Sequence, residues 1–290
     1  MTDWISAVIV DDNDENIIIP ISSLKKEKVK KERVKKEKLT KKEVNVKKED
    51  NDKKEDIEPE IKVTPTCLLT KFYNPDLSII EVGSDEVGRG PMFGRVYSGA
   101  VVLPKDDSFD HYKMKDSKKF TSKNSKKIQE VAEYIKANAI AWAVEYEDES
   151  VIDDINILQA TQSAMHKAIR NVMKQIKDLD PTKLFLLIDG NYFKPLTIFN
   201  KQTNRIENAK FETIEGGDNK FTAIAAASIL AKVERDKYIE DLCLENPELI
   251  EKYGIDSNKG YGSKTHMDGI RKHGITKWHR RTFGLCKDYC

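Results

Sequence analysis

Long apolar runs are missing from this chain. Nowhere do hydrophobic residues continue for the ~20 positions that a bilayer-spanning helix needs, and the opening MTDWISAVIVDDND has acids where a secretory leader needs a basic end. Cysteine is scarce too. Cys67, Cys243, Cys286 and Cys290 are too few and too scattered for a disulfide framework, and Cys286 with Cys290 makes only a weak metal pair. With five histidines in the chain, no thiol–histidine or serine-triad arrangement stands out. The expectation is a soluble, cytoplasmic protein of a reducing compartment with no membrane partner. Its 39% hydrophobic content suits one or two domains with a sizeable core.

An excess of either charge is also missing, but only on average. The net charge is +1, yet residues 1–20 carry five acids and no Lys or Arg, whereas from Lys25 to Lys48 basic residues outnumber acids by nine. This basic segment repeats KKEKV, KKERV, KKEKL and TKKEV, so Val29, Val34, Leu39 and Val44 recur every five positions. At about 100° per residue that period winds around a helix and never forms one stripe, so neither a coiled coil nor core packing follows. Glu27, Glu32, Glu37 and Glu43 each precede a lysine by four residues, an arrangement that supports a solvated, transient helix. Residues 1–64 read as a flexible Lys/Glu-rich tail with an unknown partner. Residues 65–290 read as the folded domain, with a helical region over about 247–290.

Past residue 66 strand and helix signals alternate, which predicts an α/β fold. Apolar runs predict strands near 79–82, over RVYSGAVVLP (95–104), over AIAWAVEYE (139–147), over KLFLLIDG (183–190) and at 209–215. Ile128, Val131 and Ile135 share a helical face over 122–138. Ile157, Thr161, Met165, Ala168, Val172 and Ile176 do so over 157–177. Residues 193–210 read as an enlarged hairpin with a polar tip at Asn200–Asn208.

Chemistry is expected where acids stand at element ends. Taken singly, Asp85 and Glu86 are loop charges, Asp189-Gly190 is a turn and Asp218 is a helix N-cap. Taken together, four carboxylates would repel one another unless cations neutralised them. Oxygen-only ligands select Mg²⁺ or Mn²⁺, and a pair of such ions suits in-line attack of water on a phosphodiester.

The segments DEVGRGPMFG (85–94), KDSKK (115–119), LLIDGN (186–191), GGD (216–218), AIAAASILAKVERD (223–236), NKGYGSKTH (258–266) and HRRTFG (279–284) resemble, in order, the motifs of the ribonuclease HII family. The resemblance covers about residues 70–285. It implies a ribonuclease H-like fold, a mixed five-stranded sheet flanked by helices, with a C-terminal helical extension. It also implies cleavage of RNA in RNA/DNA hybrids and nicking of duplex DNA on the 5′ side of a single embedded ribonucleotide. Asp85, Glu86, Asp189 and Asp218 match the catalytic acids that bind two divalent ions, Mg²⁺ or Mn²⁺. Gly88, Arg89 and Gly90 match the segment that reads the ribose 2′-hydroxyl, and Tyr261 the ring that packs on the following sugar. Lys118, Lys119, Ser228, Lys232 and Arg235 fall in matching motifs as phosphate or structural contacts. His266, His273 and His279 receive no catalytic role. The ending FGLCKDYC shows no sliding-clamp peptide. Two alternatives share these residues: another metal-dependent nuclease of the same fold, and a non-catalytic nucleic-acid-binding protein served by its basic tail.

Overall fold

A computed structural model describes residues 6–10, 16–20, 69–114, 125–200 and 203–289. The chain divides into two units, residues 1–61 and 62–290. In the first, β1 (Ser6–Val10) pairs antiparallel with β2 (Asn16–Pro20). Regular structure was not expected in the tail. The basic repeats lie outside the described residues, as does everything else from 21 to 68.

The second unit is built on β3 (Ile80–Val87), β4 (Val96–Val102), β5 (Ala141–Glu147), β6 (Leu184–Asp189) and β9 (Lys210–Ile214). Its mixed five-stranded sheet has the order β5-β4-β3-β6-β9, with β3, β6 and β9 parallel and β4 and β5 antiparallel to their neighbours. The continuous apolar run of β6 follows from burial on both faces. Leu184, Leu186 and Ile188 face one layer of the core and Leu187 packs with Ile214 and Ile224 in another. Helix α1 (Ser125–Asn138) places Ile128, Val131 and Ile135 in the core, as its period predicts. Helix α2 (Glu149–Gln175) starts earlier than the predicted 157 because Asp148 caps it through the Val151 N–H. Asn156, at φ 67°, then interrupts the helix, and its side chain accepts from the Gln159 N–H, restarting it where the apolar stripe begins.

Helix α3 (Thr222–Glu245) lies against the middle of the sheet, and its sequence explains how. A Cβ added at Gly83 would stand 2.3 Å from the Ala223 carbonyl carbon, and one at Gly99 would stand 2.2 Å from the Ala227 oxygen. Glycine on the strands and alanine on the helix are therefore both required for this close approach. The C-terminal region, with α4 (Glu248–Tyr253), α5 (Ile255–Asn258) and α6 (Lys264–His273), packs Leu249, Tyr253, Ile255 and Ile270 against Ile239 and Leu242 of α3 and against Met92 and Phe93. The hairpin strands β7 (Thr197–Asn200) and β8 (Arg205–Asn208) leave a shorter tip than predicted. Asn200 is buried, bound to Glu207 and Thr203. Among the described residues no helix is long and apolar enough to cross a membrane.

Candidate active site

Strand direction brings the acids together. In the parallel pair β3/β6, Ser84 stands opposite Ile188, so Asp85 and Asp189 follow at the same end of the sheet. β9 ends there as well, with Ile214 opposite Asp189, and leads through Glu215 and Gly216 into the short turn Gly217–Asn219. Asp85, Glu86, Asp189, Gly88, Arg89, Gly90, Ser228, Lys232 and Tyr261 line one cleft of about 380 Å³. It opens at the carboxyl ends of parallel strands, where α/β sheets commonly bind ligands.

Asp85 is only 4% exposed. Burial, and then the charges of Asp189 and Glu86, hold its carboxyl well above the usual carboxylate range, against the opposing bonds from the Ser228 hydroxyl and the Glu86 N–H. Burial raises Glu86 too, opposed by Arg89, whose Nη1 donates to Glu86 Oε1 at 3.1 Å. Asp189 Oδ1 accepts from the Gly217 N–H at 2.6 Å. Asp218 is 1% exposed and its Oδ1 accepts from Asn219. It does not line the cleft, nor does it cap α3, whose N-cap is Phe221 with no side-chain bond. Among the described residues no three His, Cys, Asp or Glu side chains are gathered closely enough to enclose an ion. The three cleft acids nevertheless fit a hard cation by their chemistry: all their donors are oxygen, and their mutual repulsion is what bound positive charge would relieve.

The remaining predicted residues divide. Tyr261 stands in the cleft, 51% exposed, and a Cβ on Gly90 would lie 3.5 Å from its ring. Ser228 is buried against Asp85, and Lys232 pairs with Asp236 at 2.8 Å. Arg235 is buried and donates to the carbonyls of Arg95, Phe93 and Lys259, a backbone tie rather than a surface cation. Lys118 and Lys119 lie outside the described residues.

Sequence reasoning assigned nothing to Arg280, which is 0% exposed and donates to the carbonyls of Gly94, Arg89, Pro91 and Gly88 at 2.8, 3.0, 2.8 and 2.6 Å. Burying an ion costs several kcal/mol, and four charge-assisted bonds at about 1.5–3 kcal/mol each offset it. Burial, with Arg235 nearby, brings its guanidinium down to about 9, so it stays charged at neutral pH. No local signal separates it from Arg281, its exposed neighbour.

The family model described as Ribonuclease HII matches residues 82–286. Ribonuclease HII of Parabacteroides distasonis is 42% identical over 206 residues, covering 71% of this chain and 90% of its own length. That of Bacteroides thetaiotaomicron is 41% identical over 221 residues, covering 76% and 96%. Among solved structures, the ribonuclease H2 of Pyrococcus horikoshii OT3 superposes with a TM-score of 0.55 at 21% identity, covering 73% of this chain and 97% of that one. Bst-RNase HIII, solved in complex with Mn²⁺, gives 0.52 at 19% identity, covering 74% and 70%. The structural likenesses show the fold, and the sequence matches span most of the second unit and nearly the whole of each relative. The chain belongs to the ribonuclease HII family, hydrolases that act on the RNA of RNA/DNA hybrids.

Proposed function

We infer that this enzyme cuts the RNA strand of hybrids endonucleolytically and also nicks duplex DNA on the 5′ side of a single embedded ribonucleotide, leaving 3′-hydroxyl and 5′-phosphate ends. The observation that carries the reading is one cleft shared by Asp85, Glu86 and Asp189 with Gly88, Arg89, Gly90 and Tyr261. Acids for hydrolysis and groups suited to a sugar stand within one substrate's reach.

Asp85, Glu86 and Asp189, with Asp218, which follows the Gly217 bound to Asp189, are the residues that would hold two divalent ions, Mg²⁺ or Mn²⁺. Bound there, such ions would supply an activated water and neutralise charge at the departing oxygen. Ser228 keeps Asp85 oriented, and the Gly217 N–H does the same for Asp189. The backbone of Gly88–Gly90 can approach a ribose closely because no Cβ intervenes at either glycine, and a 2′-hydroxyl is what separates RNA from DNA there. The exposed face of Tyr261 offers a flat platform for the next sugar. Lys232 lines the same cleft and is placed to meet a phosphate, which positions the duplex without reading sequence.

Residues 1–64 form, in this proposal, a tail outside the catalytic unit. Deleting them should leave the cleavage position and the metal requirement unchanged, and a folded truncation without activity would refute that boundary. The RNase HII of Archaeoglobus fulgidus has been solved with PCNA, but a clamp contact forms no part of this reading. A cytoplasmic setting does. The direct test of the chemistry is cleavage of an end-labelled continuous hybrid: no turnover in EDTA, recovery on adding Mg²⁺ or Mn²⁺, and products that a ligase can rejoin. A 2′,3′-cyclic phosphate product would overturn it, since the ribose's own hydroxyl would then be the nucleophile.

A further inference from the structure

The bonds of Arg280 have a direction. Its Nη2 and Nη1 take the carbonyls of Gly88 and Arg89 on the inner side of the 88–94 loop. In a trans peptide the N–H points opposite to the C=O of the same unit. The N–H groups of Arg89 and Gly90 therefore point away from Arg280. The other side of this loop is the cleft, which Gly88, Arg89 and Gly90 line. Among the described residues no hydrogen bond takes up either N–H. Further bonds from Arg280 to Pro91 and Gly94 hold the rest of the loop. Its own N–H donates to Met92, and the next two N–H groups, of Arg281 and Thr282, bind the carboxylate of Asp153. Gly88 is pressed against the second buried arginine: at φ +92°, a Cβ there would stand 2.4 Å from Arg235 Nε.

We propose that Arg280 is a positioning residue for sugar recognition, which by gripping the Gly88 and Arg89 carbonyls aims the Arg89 and Gly90 N–H groups into the cleft as a fixed pair of donors for a ribose oxygen. It touches no substrate. Its planar fork, with five donors, serves four carbonyls at once, whereas a lysine has three donors on one nitrogen and cannot hold so wide an arc. A lysine at 280 keeps the buried charge and part of the grip but lets the two peptide planes turn. The inference rests on the ribonucleotide-nicking reading above, and it concerns how sharply the enzyme distinguishes a ribose from its 2′-modified counterparts.

The test uses the full-length chain with Arg280→Lys, and Arg280→Gln as a second variant in case one fails to fold, each checked by circular dichroism and thermal unfolding. Rates are compared on a DNA duplex carrying one ribonucleotide and on the same duplex with a 2′-fluoro sugar at that position. The wild type should strongly prefer the ribose. The folded variant should lose about 10- to 100-fold in kcat/KM on the ribonucleotide, the scale on which small misplacements act. Its preference for ribose over 2′-fluoro should fall by a similar factor. A role in folding alone would lower both substrates in proportion and leave the preference intact, and that result overturns the proposal. Wild-type enzyme that fails to nick at the ribonucleotide would bring down the underlying reading and this inference with it. Normal wild-type nicking with an unaltered preference in the folded variant would remove this inference alone.

Discussion

His266 Nε2 and His279 Nε2 lie 3.1 Å apart in the buried C-terminal region, and the bonds on either side fix which ring carries which proton. The Thr276 N–H donates to His279 Nδ1, so His279 carries its proton on Nε2 and donates to His266. His266 in turn carries its proton on Nδ1 and donates to the Tyr261 carbonyl at 2.9 Å. Both rings are neutral members of a chain that ends on the backbone of the cleft tyrosine.

Acid should therefore weaken the fold. Burial, and then His266, push His279 down to about 3 from its ordinary 6.5, and burial lowers His266 in the same direction. Below about 6.5 the unfolded chain takes up protons that the folded chain refuses, so stability is lost as pH falls through the window from about 6.5 to 3. At about 1.4 kcal/mol per pH unit, His279 alone removes about 2 kcal/mol between pH 6.5 and 5. Asp85, Glu86 and Glu149, whose carboxyls are raised, act in the opposite sense. The check is consequently differential: urea midpoints at pH 7 and 5 should separate more for the wild type than for His279→Gln, whose amide can still donate to His266. Equal separations would contradict the neutral-pair assignment.

Gly99→Ala should couple stability to activity. The new methyl would stand 2.2 Å from the Ala227 oxygen, so α3 must retreat, at a cost of about 1–3 kcal/mol. Ser228, the next residue, would be drawn from Asp85. A lower unfolding temperature with a matching loss of turnover is expected, whereas unchanged turnover in the folded variant would separate the helix position from the chemistry.

Asp85→Asn should abolish turnover without destabilising the protein. A buried carboxylate held above its ordinary range by burial and by Asp189 and Glu86 opposes folding when ionised. In EDTA, where no ion compensates it, the variant should unfold at the wild-type temperature or above. A clear drop would mean that the carboxylate holds the fold together and is not there mainly for its chemistry.

Tyr261→Ala should cost little stability, since the ring is half exposed. It should slow nicking at a single ribonucleotide more than cleavage of a continuous hybrid. Equal losses on both substrates would count against a sugar platform.

Much of this was legible in the sequence because its signals are local. The period of Ile128, Val131 and Ile135 gives α1, and the apolar run ending at Asp189 gives a strand covered on both faces. The β1–β2 pair also has a signal, two β-branched runs on either side of an acidic stretch of sequence, outweighed by the charged repeats that follow. What stayed hidden depends on distant partners. Gly83 and Gly99 mean little until Ala223 and Ala227 lie on them, and Arg280 reads as surface charge until carbonyls from nearly two hundred residues earlier surround it. Asp218 reads as a helix N-cap, but it stands in a short turn ahead of Phe221, the residue that begins α3, and residue types do not reveal that turn.

The measurement that bears most directly on the central claim uses one labelled DNA duplex with one internal ribonucleotide, incubated with the full-length protein and Mg²⁺ or Mn²⁺ and resolved beside a sequence ladder. The account predicts a single nick on the 5′ side of the ribonucleotide, a 3′-hydroxyl on the upstream fragment, no cut in the all-deoxy duplex and none in EDTA. An intact ribonucleotide duplex under conditions where a continuous hybrid is cut, or equal cutting of the all-deoxy strand, would contradict it.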